Sequence, residues 1–168
     1  MLARVRTVYE KLLEAIAFVL MVALAAVVTL GVIFRSIGQS LVWYDEIASI
    51  LLTWITFYGA ALAALRGAHI GVPGLVEAMP RGLRLAATLV AEASVIAFFA
   101  LMAWVGFSVL DVLATDFLVS IPEVSVKYTQ SVIPIGATLF VIAELLRLPE
   151  VLRAAARDDG DRSRGSTP

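Results

Sequence analysis

Cysteine is absent from this sequence, and histidine occurs once, as His69. Without cysteine the chain cannot form a disulfide, a thiolate metal site or a cysteine nucleophile. A single histidine cannot by itself build a histidine-rich metal site. We therefore predict that the protein holds no metal and no cofactor. The same absences argue against a membrane enzyme or a quinone-linked anchor, because haem and metal sites normally use several histidines or cysteines.

Charged residues are scarce. They make up 16% of the 168 residues, and hydrophobic residues make up 61%. A soluble domain usually has about 25% charged and about 45–50% apolar residues, so this composition departs in the direction of membrane proteins. The formal net charge of −1 argues against nucleic acid as a partner. The sequence also lacks a phosphate-binding glycine loop and a nucleophile–base pair, so we predict no enzymatic activity.

What the sequence does contain is four long apolar stretches: Leu12–Phe34, Ile47–Leu65, Leu85–Leu110 and Tyr128–Leu146. Each is about as long as the roughly 20 residues that a helix needs to cross a ~30 Å hydrocarbon core. We predict an all-α membrane protein in which residues 1–147 form a domain of four transmembrane helices. Residues 148–168 are predicted to form a cytoplasmic, largely disordered tail. The first stretch exceeds the usual length of a signal-peptide core, so we expect it to be retained.

Lysine and arginine residues cluster before the first stretch, between the second and third, and after the fourth. The positive-inside rule therefore predicts that both termini and the middle loop are cytoplasmic. In that loop, Pro73 can begin a helix, and Leu75, Val76 and Met79 recur on one side of it. We predict a short amphipathic helix there, lying on the cytoplasmic membrane surface between the second and third membrane helices.

Small residues in the second stretch recur at helical spacing. Gly59 and Ala63 are four residues apart, as are Ala60 and Ala64. Such spacing lets two helix backbones approach closely, which is how membrane helices associate. The alternative is that alanine and glycine are simply common in membrane helices. We predict a tight helix contact along this row.

Prolines predict where helices begin or bend. Pro80 would precede a long third helix that runs from about Arg81 to Leu113, and Pro122 would open the fourth helix. Pro134 lies within the fourth stretch and predicts a kink.

Glu92 is the acidic residue that lies deepest in an apolar stretch, about 12 Å along the helix from Arg84 at 1.5 Å per residue. Ionisable residues at such depth usually face protein or water. Two interpretations stay open for it. Glu92 is either a proton carrier or part of a polar contact, within the bundle or with a partner.

The segment from Trp43 to Val72 resembles the signature region of the small membrane subunit of tripartite ATP-independent periplasmic (TRAP) transporters. The matching features are Trp43, Asp45-Glu46, Trp54, Gly59-Ala60-Ala61 and Arg66-Gly67-x-His69-Ile70-x-Val72. The resemblance continues in Ser120-Ile121-Pro122 and in Ile133-Pro134-Ile135-Gly136, and it covers most of residues 10–147.

This resemblance implies a multi-pass protein of the bacterial inner membrane. It implies a non-catalytic scaffold that anchors the static part of a large multi-span subunit. In such transporters the large subunit carries solute and sodium ions, and a periplasmic solute-binding protein delivers the solute, typically an organic acid anion. The small subunit is not expected to bind substrate, and its further contacts are with membrane lipid.

The residues that we expect to contact a partner are Trp43, Asp45, Glu46, Trp54, Gly59, Ala63, Arg66, His69 and Glu92. For several of them a simpler role is open. Asp45 and Glu46 can merely favour the start of a helix. Arg66 can anchor on lipid phosphate beside a solvated His69. Trp54 can pack against a neighbouring helix of the same chain.

One functional alternative remains, a self-sufficient four-span exporter that acts as a homodimer. Exporters of that kind place an essential carboxylate deep in the first span. Glu14 is the acid in the first stretch here, and it lies near the edge of that stretch.

Overall fold

The computed structural model describes residues 2–68 and 79–156, which are mostly helical. The helices are α1 (Leu2–Ser36), α2 (Tyr44–Arg66), α3 (Arg81–Val112), α4 (Val126–Gln130) and α5 (Val132–Ala156), with a 3₁₀ turn at Leu113–Thr115. Four helical segments are long and apolar enough to cross a membrane, and α4 and α5 together form the fourth. The prediction of an all-α protein with four membrane helices is therefore confirmed.

The four long helices pack in the order α1, α2, α5 and α3. The start of α1, the end of α2, the start of α3 and the end of α5 meet at one end of the bundle, here called the terminal end. Two polar contacts illustrate this: Arg66 Nε lies 2.8 Å from Glu10 Oε1, and Arg84 Nε donates to the Ala155 carbonyl at 3.1 Å. The opposite end, called the loop end, carries residues 37–43 and 113–125.

The buried core lies where α1, α2 and α5 meet. Its residues are Leu13, Ala61, Ala64, Leu65, Phe140 and Ala143. Phe140 also stacks on Phe99 of α3, with ring centroids 3.8 Å apart and planes 13° from parallel. The two stacked rings bury apolar area against each other. The aromatic stack therefore joins α3 to the three helices of the core.

α2 and α5 lie close together at Gly136. A Cβ atom at this position would lie 2.6 Å from the Cβ atom of Phe57, so the contact requires glycine. A Cβ atom at Gly59, by contrast, would meet nothing within 4 Å. Among the described residues, Gly59 therefore makes no close helix contact, whereas Ala64 of the same predicted row is buried and Ala60 packs against the core. The buried face of α2 is the neighbouring one, which carries Ala61 and Ala64.

α2 ends at Gly67, whose φ of +66° lies in the left-handed region. The Gly67 N–H donates to the Ala64 carbonyl at 3.1 Å, and the Ala68 N–H donates to the Ala63 carbonyl at 2.9 Å. This pairing satisfies carbonyls that a helix end leaves without partners. A Cβ atom here would also lie 2.9 Å from Arg147 Nε. Conformation and space therefore both favour glycine at the end of α2.

The third helix begins as predicted, with Pro80 as the residue before Arg81. The prediction that Pro122 opens the fourth helix is wrong. Pro122 lies in a turn that the Val124 N–H closes by donating to the Ile121 carbonyl at 3.0 Å. Proline suits the second position of such a turn as well as it suits the start of a helix. The helix starts later because the Ser125 hydroxyl caps it, accepting from the Lys127 N–H at 3.2 Å.

The fourth span is interrupted close to the predicted kink. α4 ends at Gln130, and α5 begins at Val132. Pro134 has no N–H to donate to the Gln130 carbonyl, and its ring crowds that carbonyl. The break therefore lies four residues before the proline that causes it.

Three sequence predictions concern the ends of the described ranges. The amphipathic helix predicted from Pro73 onward and His69 lie outside the described residues. α5 continues to Ala156, so the predicted boundary between residues 147 and 148 falls inside a helix. Residues 157–168, the rest of the predicted tail, also lie outside the described residues.

Candidate functional site

Glu46 ties the start of α2 to the connection between α3 and α4. Its carboxylate accepts from the Val119 N–H at 3.2 Å, from the Ser120 N–H at 2.9 Å and from the Ser120 hydroxyl. Two adjacent backbone N–H groups and a hydroxyl provide hydrogen-bond donors that suit an anion. Glu46, which we expected to contact a partner, is therefore engaged within its own chain.

Asp45 and Trp43 lie beside Glu46 but are not used in the same way. Asp45 is exposed, and its carboxylate makes no hydrogen bond or ion pair with residues 2–68 or 79–156. Trp43 precedes α2 and is half-buried. At the loop end, these two residues present a carboxylate and an indole ring that remain accessible on the chain.

Trp54 packs inside the chain, at the break in the fourth span. Its indole Nε1–H donates to the Thr129 carbonyl at 2.9 Å, and its ring lies 6.3 Å from that of Tyr58. The last carbonyls of a helix have no partner in the helix, and in hydrocarbon an unsatisfied carbonyl is costly. Trp54 therefore stabilises the end of α4. This is the neighbouring-helix contact that the sequence left as one of two interpretations.

Arg66 joins α2 to α1 at the terminal end. It forms ion pairs with Glu10 at 2.8 Å and with Glu14. Arg6 of α1 in turn pairs with Glu150 of α5 and donates to the Leu65 carbonyl at 3.1 Å. These side chains are partly exposed, so each pair contributes little stability by itself. Together they place three helices in register.

Glu92 contacts another carboxyl group across the interface between α3 and α5. Its carboxyl group lies near that of Glu144, which is 3% exposed. Arg147 Nη1 lies 3.7 Å from Glu144 Oε2, three residues along the same helix. Two carboxyl groups at close range repel each other when both are ionised. Glu92 therefore takes part in a polar contact inside the bundle.

Gly59 and Ala63 lie on a face of α2 that the chain itself leaves open at Gly59. Small residues on an open helix face allow a second backbone to approach.

The described ranges contain no group of three histidine, cysteine, aspartate or glutamate side chains that could hold a metal ion together. The geometry thus offers surfaces for other macromolecules.

A family model matches most of this four-helix architecture. It is described as "Tripartite ATP-independent periplasmic transporters, DctQ component" and matches residues 24–154. The chain belongs to this family. Membership confirms the resemblance seen in the Trp43–Val72 segment. Together with the four spans, it points to a multi-pass inner-membrane protein that is the small permease subunit of a TRAP transporter.

Two curated DctQ-type proteins are similar to the chain. The ectoine TRAP transporter small permease protein TeaB of Halomonas elongata is 38% identical over 102 residues. That match covers 58% of this chain and about half, 52%, of TeaB. The sialic acid TRAP transporter small permease protein SiaQ of Vibrio cholerae is 23% identical over 153 residues, covering 90% of this chain and 88% of SiaQ.

Sequence reasoning missed three polar residues that hold this DctQ subunit together. Arg84 is 2% exposed and donates to the Ala155 carbonyl, and Tyr9 donates its hydroxyl hydrogen to the Leu139 carbonyl at 2.7 Å. Glu144 is 3% exposed and lies near Glu92 of α3. Two of these partners are backbone carbonyls of a distant helix, so no side-chain pattern signals them. The available clue was that Tyr9 and Arg84 each lie just before the start of an apolar stretch.

Proposed function

We propose that this chain is the non-catalytic scaffold of a sodium-driven TRAP transporter that imports organic acid anions. Its partners are a large multi-span membrane subunit and a periplasmic solute-binding protein. The observation that carries the proposal is the use of polar groups within the spans. Glu92 lies near Glu144, and Trp54 donates to the Thr129 carbonyl, so these groups serve contacts inside the chain. This suits a chain that binds neither solute nor ion.

The orientation proposed with this function places the terminal end in the cytoplasm. Arg6, Arg66 and Arg84 lie at that end, whereas Asp45 and Asp116 lie at the loop end. The positive-inside rule supports this orientation. The loop end then faces the periplasm, where a solute-binding protein docks.

Two surfaces support the proposed partner contacts. On α2, the open face at Gly59 and Ala63 lets a helix of the large subunit approach closely, because no Cβ atom intervenes at Gly59. At the loop end, Asp45 and Trp43 provide an accessible charge and ring for the large subunit or the solute-binding protein. Their carboxylate and indole are suited to hydrogen bonds and apolar contact at an interface rim.

The α2 surface is tested with a matched pair of glycine variants. Gly59→Leu fills the open face of α2, and Gly82→Leu adds the same side chain near the start of α3, where a Cβ atom also meets nothing within 4 Å. We expect Gly59→Leu to abolish co-purification with the large subunit and Gly82→Leu to preserve it. Equal co-purification of both variants would contradict this partner surface.

The function itself is tested by uptake into liposomes with an inward sodium gradient. The liposomes contain this chain, the large subunit or both, with the solute-binding protein added outside. The solutes are C4-dicarboxylates, ectoine and sialic acid. We expect uptake only when both membrane chains are present. Uptake by this chain alone would refute the scaffold function and favour the exporter.

A further inference from the structure

A cavity of about 410 Å³ opens between α1 and α5 at the terminal end. Four charged side chains, one threonine and two apolar side chains line it: Arg6, Glu10, Glu150, Arg153, Thr7, Leu146 and Pro149. The sequence predictions assigned no role to this group. The cavity combines fixed charges of both signs with an apolar floor.

The cavity lies at the level of lipid headgroups. The first apolar stretch starts at Leu12, and the fourth ends at Leu146, which forms part of the cavity floor. From Arg6 to Leu12 an α-helix rises about 9 Å. The polar layer on each side of a bilayer is roughly 5–8 Å thick, which is half of the difference in thickness between the whole bilayer and its hydrocarbon core. The charged walls therefore match the headgroup layer, and Leu146 matches the edge of the hydrocarbon.

The charges of the walls balance. The lining includes two cations, Arg6 and Arg153, and two carboxylates, Glu10 and Glu150. The neighbouring ion pair of Arg66 and Glu14 adds one charge of each sign. An anion alone would meet two carboxylates in the cavity, and a cation alone would meet two guanidinium groups. A ligand that carries one charge of each sign a few ångströms apart satisfies both.

Arg153 is the cation available to a ligand. Arg6 is committed to Glu150 and to the Leu65 carbonyl. Arg153 is exposed and makes no hydrogen bond or ion pair with any residue in the described part of the chain. A guanidinium group matches the geometry of a phosphate oxygen pair. The Glu150 carboxylate is 59% exposed and can accept further hydrogen bonds beside the one from Arg6.

We propose that this cavity binds the phosphoethanolamine headgroup of a membrane lipid. Arg153 binds the phosphate, and Glu150 and Glu10 accept hydrogen bonds from the ammonium group beside those that they already accept from Arg6 and Arg66. Leu146 and Pro149 contact the glycerol and the first methylenes of the acyl chains. A choline headgroup fits less well, because its quaternary nitrogen has no N–H to donate and is better held by aromatic rings. A phosphatidylglycerol headgroup carries no positive charge, so the Glu10 and Glu150 carboxylates would have no ammonium group to bind.

Native mass spectrometry of the delipidated full-length chain tests the proposal. The probes are phosphatidylethanolamine, phosphatidylcholine and phosphatidylglycerol with identical acyl chains, and glycerophosphoethanolamine as the headgroup without chains. We expect phosphatidylethanolamine to bind about tenfold more tightly than the other two lipids, as a charge-assisted contact allows. Glycerophosphoethanolamine is expected to bind weakly. Equal binding of the three lipids, or tight binding of the free headgroup, would overturn the proposal.

Two arginine variants separate this site from general charge attraction. Arg153→Gln removes the phosphate contact, and Arg4→Gln removes an exposed arginine of α1 that does not line the cavity. We expect Arg153→Gln to lose the preference for phosphatidylethanolamine and Arg4→Gln to keep it. Circular dichroism confirms that both variants remain helical. A preference that survives Arg153→Gln, or that Arg4→Gln reduces equally, excludes the cavity as the binding site.

Discussion

Gly136→Ala isolates the energetic cost of separating α2 from α5. The added Cβ atom would lie 2.6 Å from the Cβ atom of Phe57, which is attached directly to the α2 backbone. Rotation of the phenyl ring cannot relieve this contact, so the two helices must move apart. Overpacking of a tight contact costs about 1–3 kcal/mol. Opposing this, replacing glycine by alanine in a helix gains about 1 kcal/mol of helix propensity.

Gly59→Ala provides the control, because the new methyl group meets nothing within 4 Å. The gain in helix propensity is common to both variants and cancels in their comparison. We expect Gly136→Ala to be less stable than Gly59→Ala by about 1–3 kcal/mol. The measurement is reversible unfolding of the isolated chain in mixed micelles, followed by circular dichroism. If Gly136→Ala is as stable as Gly59→Ala, α5 does not approach α2 at this glycine.

Three further predictions concern polar side chains. Trp54→Phe removes the indole hydrogen bond to the end of α4 and should lower the free energy of unfolding by about 1 kcal/mol. Trp104→Phe, at an exposed position, should leave the free energy of unfolding unchanged. Equal losses in the two variants would contradict the hydrogen bond. Glu46→Ala removes the acceptor of the Ser120 N–H and should speed amide hydrogen exchange at residues 119–120. Unchanged exchange there would show that Glu46 does not hold the connection after α3. Glu92→Gln should keep a polar side chain near Glu144 and leave sodium-driven uptake unchanged, while lost uptake would restore the proton-carrier interpretation.

The membrane helices could be predicted because hydrocarbon thickness fixes their length. α3 illustrates this, since an apolar stretch after Pro80 leaves few choices for where the helix begins. The family could be predicted because the Trp43–Val72 segment combines several features at fixed spacing. The helix contacts could not be predicted in the same way. Small residues recur on two faces of α2, and the positions of α1 and α5 decide that Ala61 and Ala64 are buried.

The roles of individual polar residues were harder to predict. Glu46 and Trp54 bind backbone groups of residues that lie 73 to 75 positions away in the sequence. Backbone groups are present at every position, so the sequence carries no pattern that names these partners. Pro122 was misassigned for a related reason. Proline fixes only its own φ angle, which is compatible with a turn and with the first residue of a helix alike.

The ion pairs of the terminal end bear on how the chain matures during synthesis. Arg6 emerges from the ribosome near the beginning, but its carboxylate partner, Glu150, is made 144 residues later. The first helix therefore enters the bilayer before either the Leu65 carbonyl or the Glu150 carboxylate exists to bind Arg6. A chain that stops short of Glu150 keeps all four apolar segments but lacks this ion pair between the first and last helices. The pair therefore forms only in chains that are translated past Glu150.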